Sequence, residues 1–202
     1  MDGTLVESEH IWAFAKQKIA EAEGTKITKD ELEKYIGRGL NDFIDEILKP
    51  QSAAHRTKIN QKIQKKALEN YDTNIHVIDG ATNLLEAFQS AGIKIAICSS
   101  GPIEAIQSSL SALKATEMID VIVSGETLSI GKPDPLPYLH TLMKLKLEPS
   151  EVIVFEDTIS GLKSASSAGI QTIIVGNQAK TQEFNNAILI EPYLKNFNLT
   201  ET

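Results

Sequence analysis

Residues 151–176, EVIVFEDTISGLKSASSAGIQTIIVG, contain two apolar runs separated by a segment of a different pattern. The runs VIVF and TIIV are short, continuous and rich in β-branched residues, which is typical of strands that are buried on both faces of a sheet. The segment between them, GLKSASSAG, has the composition of a helix rather than of a turn. The stretch therefore predicts a strand–helix–strand unit of a parallel sheet.

The same alternation extends back to about residue 79. The apolar runs IKIAIC and DVIVSGE predict two more strands, and the segments between the strands predict helices over residues 81–92, 102–110 and 136–145. We therefore expect an α/β fold, a doubly wound parallel sheet with a helical insertion near its N-terminus. Its core would comprise residues 1–7 and 77–202, and the insertion residues 8–76.

The inserted segment carries helical signals and no strand signal. Residues 9–24 place apolar side chains on one stripe, namely Ile11, Phe14, Ala15, Ile19 and Ala22. Thr28 and Glu31 form the pattern of a capping box that begins a second helix. Two further amphipathic helices are predicted over residues 40–48 and 58–71. The insertion is expected to be a helical bundle.

Composition excludes several classes of partner. The chain has 202 residues and a formal net charge of −7, and its lysines are dispersed, so nucleic acid is not expected as a partner. No apolar run approaches the roughly 20 residues that span a bilayer, so no membrane association is expected. Cys98 is the single cysteine and lies in a predicted strand, which favours a packing role in a reducing cytoplasm. We expect a cytoplasmic protein, with a monomer favoured.

Polar residues follow each predicted strand at the end where ligands bind in parallel sheets. These residues are Ser99, Ser100 and Gly101 after IKIAIC, Lys132 in the loop after DVIVSGE, and Glu156 and Asp157 after EVIVF, with Asp2, Gly3 and Thr4 at the start of the chain. Each signal alone is ordinary, since acidic pairs and Ser-Ser-Gly turns usually lie in solvated loops. Together at one sheet edge, they indicate a site for a phosphoryl group and Mg²⁺.

Each residue type has a chemical reason to be in such a site. Mg²⁺ prefers carboxylate oxygens together with phosphate and water, and a lysine ammonium balances the charge of phosphate oxygens. The loop at Ser99 precedes a predicted helix whose first residue is Pro102, and a helix N-terminus favours an anion. The segment GETLSIGK (125–132) does not fit a nucleotide P-loop, because its glycines are too far apart and Pro133 replaces the Ser or Thr.

Four stretches resemble, in order, the motifs of the haloacid dehalogenase superfamily: DGTLVES (2–8), ICSSG (97–101), GKPDPLPYL (131–139) and VFEDTISGLKSASSAG (154–169). The most similar branch contains phosphoglycolate phosphatase, sugar-phosphate phosphatases and β-phosphoglucomutase. This resemblance covers essentially the whole chain, and it matches the helical insertion to the family's cap. It implies a Rossmann-like core and a Mg²⁺-dependent phosphatase that acts on a small phosphorylated metabolite through an aspartyl-phosphate.

The resemblance also implies a role for each matching residue. Asp2 matches the acid that protonates the leaving oxygen and later activates water, and its carbonyl is implied as a metal ligand. Ser99, with Ser100, matches the group that holds the transferring phosphoryl, and Lys132 matches the cation that stabilises its charge. Asp157 matches the metal carboxylate, and Glu156 would support the metal directly or through water.

One element of the first motif falls outside the sequence. The family motif is Asp-x-Asp-Gly-Thr, so the nucleophilic Asp would precede Met1, and the apolar strand that carries it would precede it too. Losing four or five buried apolar residues would forfeit roughly 6–15 kcal/mol, about the whole net stability of a domain. Because the fold would need this buried strand, we expect the natural protein to have about 5–10 residues upstream of Met1.

The cap offers a candidate substrate residue and a test of reaction type. Arg38, between Gly37 and Gly39, could bind substrate as a planar fork or satisfy carbonyls at a helix junction. The mutase branch is expected to carry a His where this chain has Trp12, which favours a phosphatase over a hexose-phosphate mutase. A catalytically inactive phosphate-binding homologue is a further hypothesis. A phospho-accepting receiver is disfavoured by the cap and the chain length.

Overall fold

The computed structural model describes residues 1–36, 38–69, 71–176, 184, 186–191 and 193–197. The strands of these residues, numbered in chain order, are β1 (Val6–Glu7), β2 (His76–Val77), β3 (Ala96–Ser99), β4 (Val121–Ser124), β5 (Ile153–Glu156), β6 (Gln171–Val175) and β7 (Leu189–Glu191). β3 pairs with β4, and β5, β6 and β7 form a second ladder. All three of these pairings are parallel, which confirms the predicted α/β class.

The strand–helix–strand unit predicted over residues 151–176 is confirmed. β5 and β6 lie in parallel register, with Phe155 opposite Ile173, and α9 (Ile159–Ser167) connects them. Val154 and Ile174 are buried, as expected for a sheet that is covered on both faces. The strand predicted over residues 93–98 is shorter at its start, because β3 begins at Ala96 and Ile93 is largely exposed.

The two parallel ladders are not hydrogen-bonded to each other within the described residues. Leu5 and Val6, which follow the DGT segment, pack into the apolar cluster that also contains Ile97, Ile173 and Val175. The N-terminal segment thus contributes to the core on which both ladders pack.

The helices alternate with the strands in the core and fill the segment between β1 and β2. Their bounds are α1 (Glu9–Ala22), α2 (Lys29–Glu33), α3 (Leu40–Phe43), α4 (Ala53–Leu68), α5 (Tyr71–Asn74), α6 (Ala81–Ser90), α7 (Ile103–Ala112), α8 (Leu136–Leu145) and α9. A π-helical turn, Ile44–Leu48, continues α3. None of the helices in these parts of the chain combines the length and apolar character that a membrane crossing requires.

The helices from α1 to α5 share an apolar cluster of their own. Its fully buried members include Phe43, Ile44, Ile59, Ile63 and Tyr71. At the two ends of this segment, β1 and β2 pair antiparallel, with Val6 opposite Val77. This short pair lies at the predicted boundaries between core and cap, and the division of the chain into residues 1–7 with 77–202 and residues 8–76 stays a prediction.

The first cap helix differs from its predicted stripe. Ile11 and Ala15 are buried as expected, but Phe14 is 49% exposed and the buried neighbour is Lys16. The reason is that the Lys16 stem packs inward, and its ammonium lies 5.9 Å from the centre of the Phe43 ring. Ala22, at the end of the helix, is also exposed.

Two helix starts illustrate what local sequence determines. The capping box is confirmed, since the Glu31 amide donates to Thr28 and the Glu31 carboxylate accepts from the Thr28 amide. The last long cap helix, α4, begins at Ala53, five residues before the predicted start. Ser52 caps it by accepting a hydrogen bond from the His55 amide. The prediction began the helix too late because residues 53–57 are mostly polar or small and show no apolar periodicity.

Two phenylalanines of the cap make a matched stability test. Phe43 is fully buried and Phe14 is half-exposed, so Phe43→Ala should lower the free energy of unfolding by about 3–5 kcal/mol. Phe14→Ala should change it by no more than about 0.5 kcal/mol. Urea unfolding followed by circular dichroism measures both variants, and equal shifts would contradict the placement of these two side chains.

Candidate active site

A cleft of about 1000 Å³ lies between the carboxyl edge of the sheet and the cap helices. All of the site residues predicted from the core motifs line it: Asp2, Ser99, Ser100, Lys132, Glu156 and Asp157. The cap contributes Trp12, Lys16 and Arg38 to the same cleft. The structure therefore brings the separate strand ends together, as the parallel topology predicts.

Asp2 is held by hydroxyl groups from three parts of the chain. Its Oδ1 accepts hydrogen bonds from Ser8 Oγ and from the Tyr71 hydroxyl, the latter at 3.1 Å. Its Oδ2 accepts a hydrogen bond from Ser99 Oγ at 3.4 Å. Burial and the Asp2 charge raise the pKa of Tyr71, which keeps this hydroxyl protonated as a donor. The Asp2 carboxylate is thus fixed beside the predicted phosphoryl position.

The loop after β3 places two hydroxyls at the cleft, with one change from the prediction. Helix α7 begins at Ile103, so Pro102 is its N-cap rather than its first residue. The Gly101 amide donates to Ser99 Oγ at 3.1 Å, which orients that hydroxyl. Ser100 lines the cleft beside them. The loop of Ser99, Ser100 and Gly101, which we predicted to bind an anion, therefore lies one residue further from the start of α7 than the sequence indicated.

Lys132 and Glu156 form a buried ion pair, with Lys132 Nζ 2.6 Å from Glu156 Oε1. The same ammonium donates to the Cys98 carbonyl and to the Tyr138 hydroxyl, each at 3.0 Å, and Tyr138 donates to Glu156 Oε1 at 2.7 Å. Burial would lower the pKa of Lys132, but the adjacent Glu156 carboxylate outweighs it and the pKa is raised. Lys132 therefore stays charged.

The second carboxylate oxygen of Glu156 belongs to the start of α9. It accepts hydrogen bonds from Thr158 Oγ1 at 3.1 Å and from the Asp157 amide at 3.2 Å. Thr158 in turn caps α9 by accepting from the Gly161 amide at 3.0 Å. Burial would raise the pKa of Glu156, but the Lys132 charge lowers it to about 2. Both oxygens of this carboxylate are occupied by protein donors.

Asp157 is buried with far fewer partners. Thr4 Oγ1 donates to it at 3.3 Å, and its other oxygen lies directly over Gly3. Gly3 has a φ of +70°, and a Cβ there would lie 2.0 Å from Asp157 Oδ2, so only glycine fits this approach. Burial, together with the nearby Glu156 charge, raises the pKa of Asp157 to about 7. This carboxylate lacks the cation that Glu156 has.

These contacts decide which of the predicted ligands fits a metal ion. Asp157 supplies a hard oxygen that joins no ion pair among the described residues, and no backbone hydrogen bond of these residues is accepted by the Asp2 carbonyl. Both oxygens suit a hard divalent cation. The described residues contain no group of three acidic, His or Cys side chains with metal-binding spacing, so phosphate and water would have to complete the coordination. Glu156 is committed to Lys132, which favours a supporting role.

The two arginines of the cap are already paired. Arg38 contacts Glu46 at 2.5 Å and Asp42 at 3.1 Å, and its guanidinium lies over the Tyr35 ring. Arg56 makes two 2.6 Å hydrogen bonds with Asp45. Gly37, the neighbour that made Arg38 a candidate, lies outside the described residues. Arg38 lines the cleft, but its donors are turned to carboxylates of its own helix segment.

Several residues of the site have no signal in the sequence pattern. Tyr138, Tyr71 and Ser8 were not assigned a role, because neither periodicity nor spacing shows which partner a single Tyr or Ser will contact. Gly161 had a signal in the FEDTISG pattern. A Cβ at this position would lie 1.9 Å from the Glu156 carboxyl carbon, so a glycine four residues after Asp157 marks the close approach.

The fold and this arrangement of residues define a phosphoryl-transfer hydrolase with a parallel α/β core and a helical cap. The chain belongs to the haloacid dehalogenase-like hydrolase family, whose model matches residues 1–175. The phosphorylated carbohydrates phosphatase of Thermotoga maritima is 31% identical over 178 residues, covering 86% of this chain and 81% of that protein. The phosphoglycolate phosphatase of Aquifex aeolicus is 30% identical over 175 residues, covering 86% and 81%.

A solved structure agrees with this assignment. The haloacid dehalogenase hydrolase of family IA, variant 3, from Entamoeba histolytica is similar with a TM-score of 0.86 and 28% sequence identity. The similarity covers 100% of this chain and 94% of that one. The helical insertion and the parallel sheet are therefore shared across the whole length described.

Gly161 gives a test of the buried ion pair. A methyl group at this position would overlap the Glu156 carboxylate and force it away from Lys132, so Gly161→Ala should lower the free energy of unfolding by about 3 kcal/mol or more. Gly131→Ala is the matched control, since a Cβ there meets nothing within 4 Å. Thermal and urea unfolding measure both, and a neutral Gly161→Ala would show that the carboxylate lies elsewhere.

Proposed function

We propose that this protein is a Mg²⁺-dependent phosphatase of a small phosphorylated metabolite, either a sugar phosphate or an acid of the phosphoglycolate type. The observation that carries the proposal is the convergence of Asp2, Ser99, Lys132 and Asp157 on one cleft. The two phosphatases to which the chain is similar act, by their names, on phosphorylated carbohydrates and on phosphoglycolate. The lone cysteine supports a cytoplasmic location, and we propose that the protein works there.

In the proposed reaction, a carboxylate attacks phosphorus and the ester oxygen leaves with a proton from Asp2. The motif that this chain resembles places that carboxylate two positions before Asp2, a position that precedes residue 1. Water then attacks the aspartyl-phosphate while Asp2 takes up its proton, which returns both carboxylates to their starting state and releases phosphate. The Ser8 and Tyr71 hydroxyls hold Asp2 Oδ1, which leaves Oδ2, beside Ser99, as the oxygen that exchanges the proton.

The remaining residues act on charge and position. Ser99 and Ser100 would donate hydrogen bonds to the oxygens of the transferring phosphoryl group. The Lys132 ammonium contacts the Cys98 carbonyl of β3 and supplies a fixed positive charge, whose position is set by Glu156 and Tyr138. All three Lys132 donors have protein partners. Lys132 would therefore stabilise the phosphoryl group mainly through the electric field of a buried cation. It could also donate to a phosphoryl oxygen in place of the Tyr138 hydroxyl.

Asp157 and the Asp2 carbonyl would hold Mg²⁺. Glu156 would support this site by accepting a hydrogen bond from the Asp157 amide, which helps to position Asp157. The ion, when bound, would neutralise phosphoryl oxygens. The burial of Asp157 without an ion-pair partner among the described residues supports this assignment, because burying a carboxylate without a paired cation is costly.

Activity against a panel of phosphate esters tests the proposal. The protein should be expressed both as residues 1–202 and with the coding sequence upstream of Met1, and assayed with Mg²⁺ against sugar phosphates, phosphoglycolate and p-nitrophenyl phosphate. In the active form, Asp2→Asn should lower kcat by about 10²- to 10⁴-fold, because it removes the proton donor. Asp72→Asn, at an exposed acid outside the cleft, should leave kcat unchanged.

The outcomes separate the candidate functions. Release of phosphate supports the phosphatase, whereas interconversion of hexose phosphates without release indicates a mutase. If neither form turns over any ester, yet binds one, the chain is an inactive phosphate-binding homologue and the proposal fails. An unchanged kcat in Asp2→Asn would overturn the role of Asp2.

The raised pKa of Asp157 predicts how metal binding depends on pH. Because the pKa of this carboxyl is raised to about 7, it is protonated below that pH and must lose a proton to bind Mg²⁺. Mg²⁺ affinity should therefore fall by up to about tenfold for each pH unit below 7 and level off above it. Isothermal titration calorimetry from pH 5.5 to 8.5 measures this dependence. A flat profile, or full Mg²⁺ binding by Asp157→Asn, would contradict Asp157 as the ligand.

A further inference from the structure

Lys16 is a cation in the cleft wall that the reaction described above does not use. The residue is 6% exposed, and it lines the cleft from the cap side. Among the described residues, its ammonium makes one hydrogen bond, a long one of 3.4 Å to the Tyr35 carbonyl, and it joins no ion pair. Burial lowers its pKa, and nearby carboxylates only partly offset this. An ammonium has three donors, so at least one remains available to a ligand.

Glu9 is the complementary group on the same helix. It lies seven residues before Lys16, two turns along the same face of α1, and it also lines the cleft. Within the described parts of the chain, its carboxylate has no hydrogen-bond or ion-pair partner. Burial raises its pKa, and Lys16 is the largest opposing influence. The two side chains therefore present an acceptor and a donor of opposite charge, close enough to affect each other but not in contact.

The remaining polar side chains of the cap wall are mostly uncharged, and the charged ones, Arg38, Asp42 and Arg56, are already paired. Helix α4 contributes amide and hydroxyl side chains to the cleft, namely Thr57, Asn60, Gln61 and Gln64. The arginines that could recognise a carboxylate or a second phosphate are committed, Arg38 to Asp42 and Glu46, and Arg56 to Asp45. Within the described chain, Lys16 is therefore the cap cation in the cleft without a carboxylate partner.

We propose that Glu9 and Lys16 form a specificity site for the leaving group, and that this site selects a polyhydroxylated phosphate ester over an ester that carries a second anionic group. This inference rests on the proposed phosphatase function and narrows its substrate class to sugar and polyol phosphates. Lys16 would donate to hydroxyl oxygens and Glu9 would accept from hydroxyl hydrogens. Both are positioned to bind substrate, and neither takes part in the transfer of the phosphoryl group.

Charge explains why an anionic tail is disfavoured. A carboxylate placed against Lys16 would also face Glu9, whose negative charge cancels the attraction at short range. Burying such a tail without its own cation is costly, and α4 offers it only amides, a hydroxyl and Arg56, which is already paired with Asp45. A hydroxyl-rich tail, in contrast, can pair with both charged groups and with the amides at once, because each hydroxyl is both donor and acceptor.

Steady-state kinetics on protein from the full reading frame, with Mg²⁺, tests the proposal. The substrates are a hexose phosphate, a hexitol phosphate, phosphoglycolate and p-nitrophenyl phosphate, whose leaving group offers no hydroxyls. Lys16→Met should lower kcat/KM for the hexose phosphate by about 10- to 100-fold, mainly through KM, as expected for a lost hydrogen bond to a charged group. The same variant should change kcat/KM for p-nitrophenyl phosphate by no more than about twofold, because this ester has no leaving-group hydroxyl to bind Lys16.

Two more variants sharpen the result. Glu9→Gln is nearly isosteric and removes the negative charge. It should lower kcat/KM for the hexose phosphate and raise kcat/KM for phosphoglycolate, because the substrate carboxylate is no longer repelled by Glu9. Lys18→Met is the matched control, because Lys18 pairs with Glu21 on the exposed side of the same helix and should change no kinetic parameter. Circular dichroism melting shows that each variant is folded.

Three results would overturn the inference. These are a wild-type preference for phosphoglycolate over the hexose phosphate, an equal loss in Lys16→Met for all four esters, and a Glu9→Gln variant with unchanged selectivity. If no ester at all is hydrolysed, the proposed function fails separately. Calorimetric binding then decides the inference: tighter binding of the hexose phosphate that Lys16→Met abolishes supports it, and tighter binding of phosphoglycolate overturns it.

Discussion

The buried ion pair between Lys132 and Glu156 is the constraint on which the rest of the site depends. Lys132 also donates to the Cys98 carbonyl at the end of β3, and Glu156 is the last residue of β5. One ammonium thus connects the two parallel ladders, which share no ladder hydrogen bonds within the described residues. Burying a charge is costly unless it is paired and hydrogen-bonded, and here Tyr138 and Thr158 satisfy the remaining positions.

This pair also sets the division of labour between two adjacent acids. Glu156 is held ionised by Lys132 and has both oxygens occupied, so it organises the site rather than meeting a ligand. Asp157, one residue later, is buried beside that negative charge without a cation of its own, and its pKa is raised. Opposite shifts in neighbouring carboxyls arise from environment alone, and they point to Asp157 as the group that a divalent cation would stabilise.

Much of this could be predicted from the sequence, because the information is local or topological. Short apolar runs predict buried parallel strands, and parallel strands bring their carboxyl ends to one edge, so Asp2, Ser99, Lys132 and Asp157 could be placed together. The partners that hold them could not. Tyr138 and Tyr71 reach the site from helices whose orientation is a tertiary property, and Lys16 is buried where helical periodicity favoured Phe14. Side-chain pairing across elements has no signature in a single sequence.

The most direct test of this account is a double-mutant cycle on the ion pair, measured by urea unfolding. Lys132→Met and Glu156→Gln should each lower the free energy of unfolding by about 3–5 kcal/mol, since each leaves a buried charge unpaired. The double variant should be less destabilised than the sum of the two, with a coupling energy of about 1–3 kcal/mol, because no unpaired charge remains. Additive losses would contradict the account and show that the two side chains do not depend on each other.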